Sequence, residues 1–149
     1  MRNLMGWLSR NLGAAAQDAG ARERARNLAV AALLVEVLRA DYDMGAPERR
    51  QVLESLRATL ALDPAQCEEL LADAEQTVDD AHDLHQFTAE INRALAHEEK
   101  LGLVDQLWRV AHADAVVHKY EEHIIRRIAD LLHVSHREFI AAKLRAGAA

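Results

Sequence analysis

Two prolines and six glycines are few punctuators for 149 residues, and their scarcity leaves long stretches in which nothing stops a helix. Alanine, leucine, glutamate and arginine dominate instead, which favours helix throughout and gives a sheet almost no material. The single cysteine, Cys67, excludes an intrachain disulfide and a cysteine-based zinc cluster, and is compatible with a reducing compartment. It reads as a small buried hydrophobe rather than a reactive thiol. No segment reaches the ~20 apolar residues of a membrane span; Leu28 to Leu38 comes nearest and contains Glu36. Residues 1–12 show no continuous apolar stretch with a cleavage site, which argues against a secretory signal. Eighteen basic against 24 acidic residues, a formal charge of −6, oppose phosphate-backbone binding, so no nucleic-acid partner is expected.

Catalytic signatures are missing as well. His82-Asp83 suggests an HD-type phosphohydrolase, but that site needs an upstream histidine and all eight histidines lie from residue 82 onward. There is no glycine-rich nucleophile turn and no phosphate loop. The chain is therefore expected not to be an enzyme.

With half its residues apolar, the chain can bury one real core. The expectation is an all-α fold: a compact domain of about seven or eight helices over residues 21–149, preceded by an amphipathic N-terminal helix in residues 1–20. In that first helix Leu4, Leu8 and Leu12 share a stripe beside Met5 and Trp7, and Gly13 and Gly20 mark a hinge. Further helices are expected over residues 22–40, 47–60, 64–82, 84–96, 100–113, 119–132 and 136–145. Of these, 22–40 reads as a central helix buried on most sides. Trp108 reads as a core residue and Trp7 as a docking residue.

Two segments carry the same acidic pattern, Asp-x6-Glu, between helical stretches: Asp41-Tyr-Asp43-Met-Gly-Ala-Pro-Glu48 and Asp114-Ala-Val-Val-His118-Lys-Tyr-Glu121-Glu122. Leu34 and Arg39-Ala40-Asp41 match Leu107 and His112-Ala113-Asp114 at an offset of 73. Val52, Leu53, Leu56, Leu60 and Leu62 match Ile124, Ile125, Ile128, Leu132 and Val134 at 72, which places a one-residue length difference at the corner. Asp63-Pro-Ala-Gln66 and Ser135-His-Arg-Glu138 both have the form of a capping box. Corner, apolar face and cap align together, so an internal pseudo-twofold repeat of helix, acidic corner, helix and short helix is expected.

An aspartate at a helix C-terminus faces partial negative charge and is disfavoured by roughly 0.3–1 kcal/mol. Two such aspartates call for a compensating cation, though an Asp capping the next turn is the simpler alternative. The first corner is not an EF-hand: Gly45 is fifth rather than sixth, and the twelfth position is Val52. Asp41, Asp43 and Glu48 form a candidate oxygen site for a calcium- or magnesium-like ion. In the second corner His112 and His118 join Asp114, Glu121 and Glu122, and imidazole widens the choice to zinc, nickel or iron. His82, His85, His97, His133 and His136 receive no role.

Leu107-Trp-Arg-Val-Ala-His-Ala-Asp114 and His118-Lys-Tyr-Glu-Glu-His-Ile-Ile-Arg-Arg-Ile-Ala-Asp-Leu-Leu132 resemble the TerB-like family of tellurite-resistance proteins over roughly residues 25–144. The resemblance implies an all-α domain with internal pseudo-twofold symmetry and a divalent-metal site of acidic residues at the helix corners: Asp41, Asp43, Glu48, Asp114, Glu121 and Glu122. It also implies a link to tellurite and stress resistance, with a related domain in membrane-attached J-domain co-chaperones. Family corners often read Ala-Asp-Gly, whereas Tyr42 and Ala115 follow the aspartates here.

The expected function is a cytoplasmic, non-enzymatic, metal-binding or metal-sensing helical module acting through protein partners of a bacterial stress-response assembly. A metal-independent interaction or co-chaperone-like module is the main alternative, and a metal-dependent hydrolase a distant one. A homo-oligomer, and peripheral contact with the inner membrane through residues 1–12, are further options.

Overall fold

The computed structural model describes residues 19–40, 46–80, 83–113 and 119–148. Among them are seven helices and no strand: α1 (Ala19–Arg39), α2 (Ala46–Leu60), α3 (Pro64–Asp80), α4 (His85–Ala94), α5 (His97–Ala111), α6 (Lys119–Leu131) and α7 (His136–Ala148). The all-α expectation holds. The N-terminal helix expected in residues 3–18 lies outside the described residues.

Every residue of α1 from Leu28 to Val35 is buried, because α1 is packed against α2, α3, α4, α5 and α6 at once. A helix apolar all round needs neighbours all round, and here other helices supply them. Fully burying a leucine such as Leu33 or Leu34 contributes roughly 1.5–3 kcal/mol. No described helix is long and apolar enough to cross a membrane. Leu103, Leu107, Val110 and Ala111 of α5 face the same core, as do Phe87 and Ile91 of α4 and the thiol-bearing Cys67 of α3.

Helix starts follow side-chain chemistry. The Gln66 N–H donates to Asp63 Oδ1 at 2.8 Å and the Asp63 N–H to Gln66 Oε1 at 3.0 Å, so the α3 capping box forms. The α7 box forms as well, with the Ser135 N–H donating to Glu138 Oε1 at 2.9 Å and the Glu138 N–H to Ser135 Oγ at 3.2 Å. Helix α5 starts at His97, three residues before the expected position, because Glu99 Oε1 accepts the Ala96 N–H at 2.8 Å. Helix α7 runs on to Ala148, past the expected end at 145.

Positions 73 apart in α2 and α6 share burial. Glu48, Val52, Ser55 and Leu56 are the buried residues of α2, and Glu121, Ile125, Ile128 and Ala129 those of α6, at a constant spacing of 73. Past the helix ends, Ala61 and His133, 72 apart, both have left-handed backbone.

Candidate functional site

Of the seven candidate ligands, Glu48, Glu121 and Glu122 are described; Asp41, Asp43, Asp114 and His118 lie outside the described residues.

Glu48 and Glu121 each sit in the first turn of a helix and are only 2% and 1% exposed. A carboxylate withdrawn from water loses several kcal/mol of solvation unless positive charge or donors replace it. The N-terminal end of a helix favours a carboxylate through its N–H groups and dipole. Their chain neighbours turn outward, since successive helical residues are about 100° apart. Arg49 reaches Glu68 at 3.3 Å and Glu75 at 3.1 Å on α3. Glu122 accepts from Lys143 Nζ at 2.7 Å, with Arg126 at 4.0 Å. The Lys143 hydrogen bond holds the Glu122 carboxyl below its ordinary pKa. Of the two adjacent glutamates in the second corner, Glu121 is thus the buried one and Glu122 belongs to a partly exposed ion-pair cluster.

The margins of the two corners converge. Ala40, the last described residue before Asp41, shares a cavity of about 310 Å³ with Tyr120, which directly precedes Glu121. Glu36, Arg39, His123 and Ile124 complete its wall. Burial raises the Glu36 pKa, with Arg39 partly opposing. Arg39 also spans to α3, pairing with Asp79 and donating to the Glu75 carbonyl at 3.3 Å, which sets positive charge at the carboxyl end of α1. Tyr120 stands 66% exposed at the cavity's lip.

Just before the second corner, His112 stacks on Trp108 with ring centroids 5.8 Å apart, and Phe139 packs tilted against the same indole at 5.3 Å. Lys143 Nζ lies 5.5 Å above the indole, a cation–π contact that ties α7 to α5. Trp108 is fully buried, as expected, and its Nε1–H has no hydrogen-bond partner among the described residues.

Among the described residues no group of three or more His, Cys, Asp or Glu could hold a metal ion. Oxygen-only donors suit calcium or magnesium, and adding an imidazole suits zinc, nickel or iron.

Sequence reasoning missed the pair His97 Nε2 and Glu138 Oε2, 2.9 Å apart. The cap role of Glu138 was visible in Ser-x-x-Glu, but nothing local marks a partner 41 residues away.

Residues 27–144 match the family described as tellurite resistance protein TerB. No curated protein and no solved structure matches the chain.

Proposed function

The chain belongs to the TerB family of tellurite-resistance proteins, and from that premise we propose that it is a divalent-cation-binding helical module that works through protein partners in tellurite resistance and related stress. The observation that carries the reading is the pair Glu48 and Glu121: the same residue type, 73 positions apart, buried at the same point of α2 and α6. A carboxylate repeated at a buried first-turn position, beside a corner rich in aspartate, supports an oxygen ligand set at the same place in each half. In this reading the two halves are copies of one helix–corner–helix–helix unit. Glu48 and Glu121 are ligands, and Asp41, Asp43, Asp114 and His118 are the further donors. Glu122, already paired with Lys143, holds α6 to α7 instead.

The role proposed is binding, not catalysis. A cation held between helix ends fixes the relative placement of α1, α2, α5 and α6, and a partner can read that placement. The cytoplasm is the proposed location. Metal analysis of protein purified without chelator tests the reading: a divalent ion near stoichiometric with the chain supports it, and metal-free protein that takes up none of calcium, magnesium, zinc or nickel refutes it.

One observation favours a second reading. Tyr120 is a large side chain left exposed over a cavity with charged walls, a surface suited to a partner without any metal. A cation-independent interaction module would use that surface alone.

A further inference from the structure

The solvent side of α5 carries a stripe that complements its own reversal. Glu98, Gly102, Asp105 and Arg109 follow one another at steps of four, three and four residues, which sets all four within ~60° of one another around the helix. Glu98, Gly102 and Arg109 are exposed and Asp105 is half-buried. The stripe is acidic at one end and basic at the other, and neither Glu98 nor Arg109 has an ion pair among the described residues. The charges flanking them are engaged within the chain. Asp105 accepts from Arg145 at 2.8 Å, Glu99 Oε1 accepts the Ala96 N–H at 2.8 Å, and His97 pairs with Glu138 at 2.9 Å.

Gly102 is the unusual member. Glycine is a poor helix residue, yet here its φ is not positive and an added Cβ would meet nothing within 4 Å, so neither backbone conformation nor packing within the chain requires it. On an exposed helix face a glycine lets another chain come close. Gly102 also borders a cavity of about 390 Å³, where Leu60 and Leu95 form a half-buried apolar wall at the core's edge. The charged residues of that cavity are Arg26 and Glu99. Arg26 is paired with Glu23 at 3.7 Å, and Glu99 caps α5.

We propose that this face docks a second copy of the chain, with the two α5 helices antiparallel across a twofold axis. Reversal about the midpoint between Leu103 and Val104 sets Glu98 against Arg109 of the second copy and Gly102 against its Asp105. Each relation occurs twice, as an isologous interface requires. Two Glu98–Arg109 ion pairs then flank the crossing. The two Asp105 carboxylates enter the gaps left by Gly102, each neutralised by Arg145 of its own chain, and Leu60 and Leu95 add apolar area beside them. Charge order selects this occupant. A parallel copy would set Glu98 against Glu98 and Arg109 against Arg109, and a partner of other sequence would not need the stripe to complement itself. No candidate cation ligand lies on the stripe, so the docking is independent of the proposed ion.

Sedimentation equilibrium of the full chain tests the interface. Wild type should show a reversible dimer that weakens with added salt. Glu98→Arg and Arg109→Glu each turn two opposite-charge contacts into like-charge ones, which are strongly disfavoured across an interface. Each should raise the dimer dissociation constant at least tenfold. An equimolar mixture of the two variants should recover the dimer, because the altered signs again meet their opposites. Gly102→Gln, which adds a side chain where the chain's own fold has room, should weaken the dimer while leaving the helical circular dichroism unchanged. A wild type that stays monomeric overturns the proposal. So does a dimer that the charge reversals or Gly102→Gln leave intact, and so does a mixture of the two reversed variants that fails to pair.

Discussion

Ala61 and His133, 72 residues apart, carry the same left-handed backbone, with φ of 55° and 62°. Each closes a helix: the Ala61 N–H returns to the Arg57 carbonyl at 3.0 Å, and beyond α6 the His133 and Val134 N–H groups reach the Asp130 and Ala129 carbonyls at 3.1 and 2.9 Å. These are the αL and Schellman terminations that glycine normally makes. Left-handed backbone costs a non-glycine residue roughly 1–2 kcal/mol, and glycine's extra unfolded-state freedom returns about 0.5–1 of that. Ala61→Gly and His133→Gly should each therefore stabilise the protein by about 0.5–1 kcal/mol, seen as a small rise in thermal midpoint. A fall at either site would mean that the side chain, and not the backbone, matters there.

The cap of α7 should make stability fall in acid. The Ser135 backbone N–H, then His97, depress the Glu138 pKa from 4.5 to about 2. A carboxyl whose folded pKa lies below its unfolded value contributes stability that is fully present above the unfolded value. That contribution is lost as pH drops from 4.5 toward 2. Glu138→Gln should flatten this part of the pH–stability curve, and Ser135→Ala should cost about 1 kcal/mol at neutral pH as a lost N-cap. Identical curves for wild type and Glu138→Gln between pH 5 and 2 would deny the cap this role.

Glu36 should show the opposite sign. Burial raises its pKa, so the ionised form is penalised in the folded state, and its charge opposes stability above the folded pKa. Glu36→Gln is expected to raise the thermal midpoint at pH 7, and the advantage should shrink as acid protonates the wild-type carboxyl. Urea melts at pH 7 and pH 4 measure both differences.

Much of this fold is legible in the sequence because its signals are local. The apolar run from Leu28 to Leu38 fixes the central helix, and the Asp63–Gln66 and Ser135–Glu138 boxes fix the starts of α3 and α7. The ends of α2 and α6 are less legible because Ala61 and His133 stand where the usual signal is glycine. At the candidate site the sequence marks both corners but cannot separate Glu121 from Glu122. Their difference is a matter of helix rotation against the core and of Lys143, 21 residues further on. The convergence of Ala40 and Tyr120 on one cavity is a tertiary relation with no local trace.

Trp108 joins the second corner to the core. It is fully buried, in ring contact with His112 and Phe139 and with Lys143 over its ring, so Trp108→Ala should cost about 3–5 kcal/mol in chemical denaturation. In a Trp7→Phe background the remaining indole also reports on the corner: a saturable change in its emission on adding a divalent ion is expected. Emission unchanged by calcium, magnesium, zinc and nickel would separate the corner from any ion.

Calorimetric titration of these four ions into wild type, a Glu48→Gln/Glu121→Gln double variant and Glu122→Gln tests the central claim most directly. Saturable binding is expected for wild type and Glu122→Gln with at least one ion, and its loss in the double variant. Binding should also raise the thermal midpoint, by ~2.7 kcal/mol in stability at a hundredfold excess over Kd. Unchanged binding by a folded Glu48→Gln/Glu121→Gln protein, or no binding by wild type to any of the four, would contradict a cation site built on the two buried glutamates.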